Sequence, residues 1–332
     1  MALKVNALRK HGIDLNKNPE HIVNDAGRLD ALLADLPDTV LYKTWRRAPV
    51  DSSGESLKMK VIEESLPKAE FVTVFKKEVQ EFCDHVERVR TQYKELRQLK
   101  ENLPEHEIIL QMDFAENFSC RSLDEVQTAY WNQTSVTLHP VVAYYKEGGK
   151  LKHKSIVIIS DETHHSASTV CAFIDAIIPK LREIDPRVRK IHYWTDSSSS
   201  QYRNRFIFYT IASHEEKYGI KAQWNYFEAG HGKGPCDESV RQGKAIIQDA
   251  NEFYRWAITS SMKEVTFVFI EKEICSEKKQ ELDRLNIKAV KNTMKLHAVV
   301  GVSKSSLLTQ VISCYCEDCL NENYCTSWVN TP

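Results

Sequence analysis

Neither sign of charge dominates this chain: 45 lysines and arginines face 46 aspartates and glutamates, leaving a formal −1 at pH 7. A global basic field of the kind that gathers nucleic acid is therefore excluded, and contact with a polyanion must rest on local patches. No run approaches the roughly 20 apolar residues that a membrane-spanning helix needs. The N-terminal MALKVNALRKHGIDLNKN lacks the apolar core of a secretory leader. No G-x-G-x-x-G follows the first predicted strand, which argues against a dinucleotide-binding sheet. No G-x-S-x-G elbow supports a hydrolase of the Ser-His-Asp type.

What the chain does have is enough length, 332 residues with 42% hydrophobic side chains, for a full α/β core with flanking segments. Of nine cysteines, Cys83, Cys120, Cys171, Cys236 and Cys275 are scattered singly. Without a secretory leader they read as reduced thiols, so the expected location is nuclear or cytoplasmic, not secreted, with no membrane partner.

Apolar residues recur at three- and four-residue steps from Phe71 to Leu96, which predicts a helix from Lys68 to about Leu103. Pro104 ends it. Strands are then predicted over Ile108–Phe114, Ser135–Tyr145 and Lys154–Ser160. A helix follows over Ala167–Ile184, a strand over Lys190–Asp196, a helix over Gln201–Tyr218 and a strand over Lys221–Phe227. A third long helix is predicted over Cys236–Thr259. Three successive strands imply antiparallel pairing, and the two later strand–helix–strand steps imply parallel crossovers. That order predicts a ribonuclease-H-like, five-stranded mixed sheet flanked by helices. The expected domains are a mainly helical N-terminal extension (1–105), the α/β domain (106–262) and a C-terminal strand and helix extension with a cysteine-rich tail (263–332).

Two of the predicted strands end on aspartates, Asp113 in LQMDFAENF and Asp196 in YWTDSSSSQYRN. Neighbouring strands lie about 4.8 Å apart. Two carboxylates that close repel unless a cation lies between them, and Mg²⁺ or Mn²⁺ prefers such oxygen ligands. A third carboxylate at the start of the last helix, Asp237 or Glu238, would complete a two-metal site of the kind that activates water or a 3′-hydroxyl. Glu116 is a weaker candidate, since carboxylates near turns usually cap them.

The blocks MDFAENF, TDSSSSQYRNR and EAGHGKGPCD, in that order, resemble a family of transposon-derived proteins with a DDE-type, ribonuclease-H-like domain; WNQTSVTLHPVVAYY is similar to that family's second strand. The resemblance covers roughly residues 70–325. It implies a DNA-binding, divalent-metal-dependent transposase core in which Asp113, Asp196 and Asp237 match the acidic positions. Gln201, Tyr202, His231, Gly232, Lys233 and Gly234 match the surrounding motif. The chain departs from the family in carrying Ser197 after the second aspartate and Glu238, Ser239 and Val240 after the third, where relatives tend to have glycine. Loss of glycine where backbone must come close is harmless if the third helix simply begins earlier here, and otherwise marks a decayed or repurposed copy with intact ligands and poor catalysis.

His231-Gly232-Lys233-Gly234 precedes a predicted helix N-terminus, whose free N–H groups favour phosphate. Arg203, Arg205, Arg241 and Lys244 either join it as the DNA-phosphate contact set or are simply solvated. His164-His165 is not expected to bind metal, because adjacent side chains point apart; a polar loop capped by Ser166 or Ser168 is the reading there. Cys314, Cys316, Cys319 and Cys325 form C-x-C-x₂-C-x₅-C, sufficient in number for structural Zn²⁺, with His297 as an alternative ligand. The sequence thus predicts a divalent-metal-dependent polynucleotidyl transferase or endonuclease with DNA as partner, and homo-oligomerisation as an option. The alternative is a domesticated or decayed copy acting as a DNA- or protein-binding module.

Overall fold

The computed structural model describes residues 26–49, 57–120, 134–228, 247–259 and 265–331. The chain divides into two compact units, residues 1–88 and 89–332.

In the first unit, helix α1 (Ala26–Ala34) is followed by strands β1 (Thr39–Pro49) and β2 (Leu57–Pro67), an antiparallel hairpin in which Thr39 pairs with Pro67 and Pro49 with Leu57. Helix α2 (Lys68–Glu101) starts directly after β2 and continues into the second unit. Leu29, Leu33, Val40, Phe71, Phe75 and Val79 form a small core at the open end of the ribbon, away from its turn. The hairpin was not foreseen. Only its inward residues at that end, Val40, Tyr42 and Leu66, reach the core, and its outer half exposes Trp45, Leu57, Met59 and Val61. Such a face gives no clean in–out alternation.

The second unit is built on one mixed sheet. Its strands are β3 (Glu107–Met112), β4 (Phe118–Ser119), β5 (Ser135–Glu147), β6 (Lys150–Ser160), β7 (Lys190–Thr195), β8 (Lys221–Tyr226), β9 (Val265–Ile270), β10 (Ala298–Ser303), β11 (Ser306–Gln310) and β12 (Val329–Thr331). The spatial order is β12-β11-β10-β8-β7-β3-β5-β6-β9, with β4 paired to β5 off this path. β3 runs antiparallel to β5, and β5 to β6. β3 runs parallel to β7, and β7 to β8. The expected five strands are present, but the sheet is larger than predicted: β9 adds in parallel beyond β6, and β10 adds antiparallel beyond β8. The strands after residue 262 therefore hydrogen-bond into the same sheet.

Alternation along the strands divides the core. On one face Ile108, Leu110, Val141, Ile156, Ile191 and Trp224 pack under α3 (Ala167–Ile184) and α4 (Arg205–Ala212). On the other, Ile109, Trp194 and Phe227 meet Leu96, Leu99 and Leu103 of the α2 end, while Val136, Leu138, Val157 and Ile159 meet α6 (Ala250–Thr259).

Helix α3 has the predicted limits, because Ser166 caps it by accepting from the Thr169 N–H. The helix expected over 201–218 begins later and breaks. Asn204 accepts from the Phe206 and Ile207 N–H groups and so starts α4; α5 (His214–Tyr218) follows Ser213 and stops at Gly219, φ 66°. Of the long helix expected over 236–259, residues 236–246 lie outside the described residues, and the described part is helical only from Ala250. Residues 247–249 are not helical, because Asp249 accepts from the Glu252 N–H while Glu252 accepts from Gln248, the reciprocal pattern of a helix start. α7 (Lys272–Asp283) and the four-residue α8 (Glu317–Leu320) complete the unit.

Candidate metal centres

β3 and β7 pair in parallel from Glu107 opposite Lys190 to Gln111 opposite Trp194. The offset is constant, 190 − 107 = 83 and 194 − 111 = 83, so continuing it by two residues sets Asp113 abreast of Asp196. Each stands one residue beyond its strand, and both are half-buried. The Asp113 N–H still bonds the Pro140 carbonyl of the β5 side. One carboxylate oxygen of each accepts a nearby backbone N–H, from Phe114 to Asp113 (2.9 Å) and from Ser198 to Asp196 (3.0 Å).

Beside Asp113 the Phe114 ring stacks on His165 at 4.1 Å and meets His139 edge-on at 4.5 Å. Burial drives the His139 pKa down to about 3, so this ring is neutral at ordinary pH, and its Nε2 lies 3.0 Å from the Tyr202 hydroxyl. His164 and His165 diverge as expected. His165 Nε2 is 2.8 Å from Asn117 Oδ1, whereas His164 is exposed with Nδ1 3.4 Å from Glu162.

Asp237, Glu238, the 231–234 loop, Arg241 and Lys244 lie outside the described residues. Glu116 is exposed just past Asp113. Arg203 corrects the sequence reading as a phosphate contact. It is 3% exposed, its Nη1 donates to the Met294 and Leu296 carbonyls, and its guanidinium lies over the Tyr226 ring. It holds the 294–296 turn against β8, and Arg205 is the exposed arginine of the pair.

The second centre is the cysteine tail. The sulfurs of Cys314, Cys316, Cys319 and Cys325 all lie within 4.8 Å of one another. Cys319 and Cys325 are 3.5 Å apart, and Cys325 and Cys314 are 3.9 Å apart. Four sulfurs about 2.3 Å from a tetrahedral zinc are about 3.8 Å from each other, whereas a disulfide needs about 2.05 Å. Backbone N–H groups turn toward the sulfurs, Cys316 toward Cys314, Cys325 toward Cys319 and Ser327 toward Cys325. The Trp328 indole N–H donates to Cys319 at 3.3 Å. Burial raises the Cys314 and Cys319 thiols, the latter to about 11, while hydrogen bonding from Ser327 lowers Cys325 to about 7. Together the four cysteines could hold a metal such as zinc. Among the described residues this is the one such cluster. His297 is not part of it: its Nδ1 meets the Val311 carbonyl at 2.6 Å, and its Nε2 is 3.5 Å from Glu228.

One polar constellation was missed. Glu107, 2% exposed, meets His192 Nε2 at 2.7 Å and Arg189 at 2.8 Å. Burial would raise the Glu107 carboxyl, but His192, Lys190 and Arg189 together hold it below its usual range. His192 Nδ1 lies 3.1 Å from the Tyr315 hydroxyl, to which Asn225 donates at 2.9 Å. The network closes with His192 neutral, Nε2–H donated to Glu107 and Nδ1 accepting from Tyr315. Its sequence signal was a glutamate and a histidine inside otherwise apolar strand runs, EIILQM and KIHYWT.

Fold and centre together define an α/β protein whose large mixed sheet carries a four-cysteine cluster able to hold a metal. The chain belongs to the family described as a domain of unknown function (DUF8701), which matches residues 92–313, more than half its length. No curated protein and no solved structure matches the chain.

Proposed function

We propose that this chain is a ribonuclease-H-like domain of the transposase or integrase type, and that Asp113 and Asp196 bind Mg²⁺ or Mn²⁺ for cleavage or joining of DNA phosphodiesters. The observation that carries this reading is the common register of the two aspartates at the carboxyl ends of adjacent parallel strands. Ligands of open α/β sheets gather at such strand ends. Continued alternation would also carry both side chains to the face of Ile109 and Trp194. The strand order β6-β5-β3-β7-β8, with its two antiparallel and two parallel pairings, supports the same reading, as does the DDE-type resemblance of the blocks around Asp113, Asp196 and Asp237.

The donor set fits a hard divalent cation, with all-oxygen ligands and no soft atom among them. Bound there, the cation would supply a polarised nucleophile and charge stabilisation at the leaving oxygen. Asp113 and Asp196 would hold it, with Asp237 or Glu238 as the third carboxylate. A merely folded descendant of such an enzyme is the second reading. It is favoured by Ser197, buried directly after Asp196 with no hydrogen-bond partner for its hydroxyl.

The test is nicking of supercoiled plasmid by the purified chain with Mg²⁺ or Mn²⁺. Asp113→Asn and Asp196→Asn should each reduce nicking to the metal-free background while thermal unfolding stays cooperative. Comparison of Asp237→Asn with Glu238→Gln would assign the third ligand. Nicking that survives both strand-end changes excludes this mechanism. Salt-dependent DNA binding with no nicking by the unaltered chain selects the binding-module reading.

A further inference from the structure

Residues 311–328, which carry the four cysteines, have little means of holding a shape by themselves. Between β11 and β12 their regular structure is the four-residue α8. Of the six residues 311–316, none belongs to a strand or helix, so their backbone polar groups need partners from elsewhere.

For Ser313 and Tyr315 those partners are side chains of α2. The Ser313 N–H donates to Gln92 Oε1 at 3.0 Å, and the Tyr315 N–H donates to Glu95 Oε2 at 2.6 Å. The Tyr315 carbonyl accepts from Gln98 Nε2 at 2.7 Å. Gln92, Glu95 and Gln98 are spaced by three residues and share one stripe of the helix. Gln92, itself fully buried, also donates to the Tyr226 carbonyl at the end of β8. The Tyr315 side chain passes in the opposite sense, into the sheet, to His192 and Asn225. Tyr315 thus sits between helix and sheet, and the two residues that flank it are Cys314 and Cys316.

A short, loop-rich segment bent this sharply needs a cross-link where it cannot bury a core of its own. Four-cysteine zinc sites supply one, because metal binding and local folding share a single free energy. The sulfur spacing given above suits that ion, and the N–H groups turned on three of the sulfurs favour bound thiolates.

We propose that one zinc ion, held by Cys314, Cys316, Cys319 and Cys325, clamps residues 313–316 between α2 and the sheet, so that order along the Gln92–Gln98 stripe depends on the metal. The clamp is independent of the Asp113–Asp196 reading and stands whether or not the chain cleaves DNA. The ion is structural: all four positions around it are filled by protein thiolates, leaving none for substrate.

The experiment uses the full chain purified under reducing conditions without chelator, with metal content measured before and after treatment with a strong zinc chelator. Amide hydrogen exchange is followed in both states. One zinc per chain is expected, and Cys319→Ser should lose it while Cys83→Ser, outside the cluster, keeps it. Removal of zinc should speed exchange of residues 311–328 and 92–98 by roughly tenfold or more, and leave α3 unchanged. Substantially less than one zinc per chain overturns the site. Full zinc with unchanged exchange at 92–98 after its removal overturns the clamp. Loss of protection throughout α3 as well would mean that the metal supports the whole fold, and would overturn the local role.

Discussion

His139 and His214 are each buried among aromatic rings, His139 between Phe114 and Phe173 and His214 beside Tyr193 and Tyr218. Burial pushes their pKa values down from 6.5, to about 3 and about 4. Between pH 6.5 and those lower values the unfolded chain binds protons that the folded chain refuses, so stability is full above about 6.5 and falls with pH below it. At pH 5 each ring costs about 2 kcal/mol relative to pH 7, from 1.36 kcal/mol per unit. Urea unfolding at both pH values should show this loss. His139→Gln, which keeps a group able to accept from Tyr202, should remove its own share, about 2 kcal/mol; an unchanged slope would mean that His139 takes up its proton in the folded state. At this scale the sequence was legible where chemistry is local. The strand-end position of the two aspartates, and the four crowded cysteines as a candidate metal cluster, were readable from their neighbours alone. Glu107, His192 and Tyr315 were not, because their partners lie 85 and 123 residues apart and only the sheet brings them together.

Gly301 shows how closely two elements can depend on one missing atom. It lies on β10 against the end of α4, and a Cβ there would fall 2.1 Å from the Ile211 carbonyl oxygen. The obstacle is backbone, so no side chain can swing aside. Gly301→Ala should therefore destabilise the fold by about 1–3 kcal/mol, the usual cost of overpacking, read as a lowered midpoint of thermal or denaturant unfolding. An unaltered midpoint would show that β10 and α4 can separate freely. Element limits were legible where one strong signal dominates: the amphipathic stripe and serine cap fixed α3, and β-branched runs marked β5 and β6. They were misread where polar caps compete with helix periodicity, at Asn204 and Asp249, and where α4 gives way to α5 at Ser213. The β1–β2 hairpin was missed because its outer half projects from the small core and obeys no burial rhythm.

Over the whole second unit, the core does not stop where the predicted five strands end. Leu282, Leu296, Val299 and Leu307 belong to the same buried cluster as Ile108 and Ile191. β10 covers the β8 edge from Gln223 to Asn225, and β9 covers β6 from Ser155 to Ser160. A chain ending at residue 262 would lose both added edges and those four side chains. Each fully buried aliphatic side chain contributes about 1.5–3 kcal/mol, so the loss is on the order of 6–12 kcal/mol, comparable to the 5–15 kcal/mol that holds a typical domain together. It would also uncover two edges of paired backbone, an invitation to aggregate. Residues 1–262 expressed alone should therefore be insoluble, or soluble only as a dye-binding species without a cooperative unfolding transition, whereas residues 1–332 should unfold cooperatively. A soluble, cooperatively unfolding 1–262 fragment would mean that β9 to β12 are an appendage to a self-sufficient sheet.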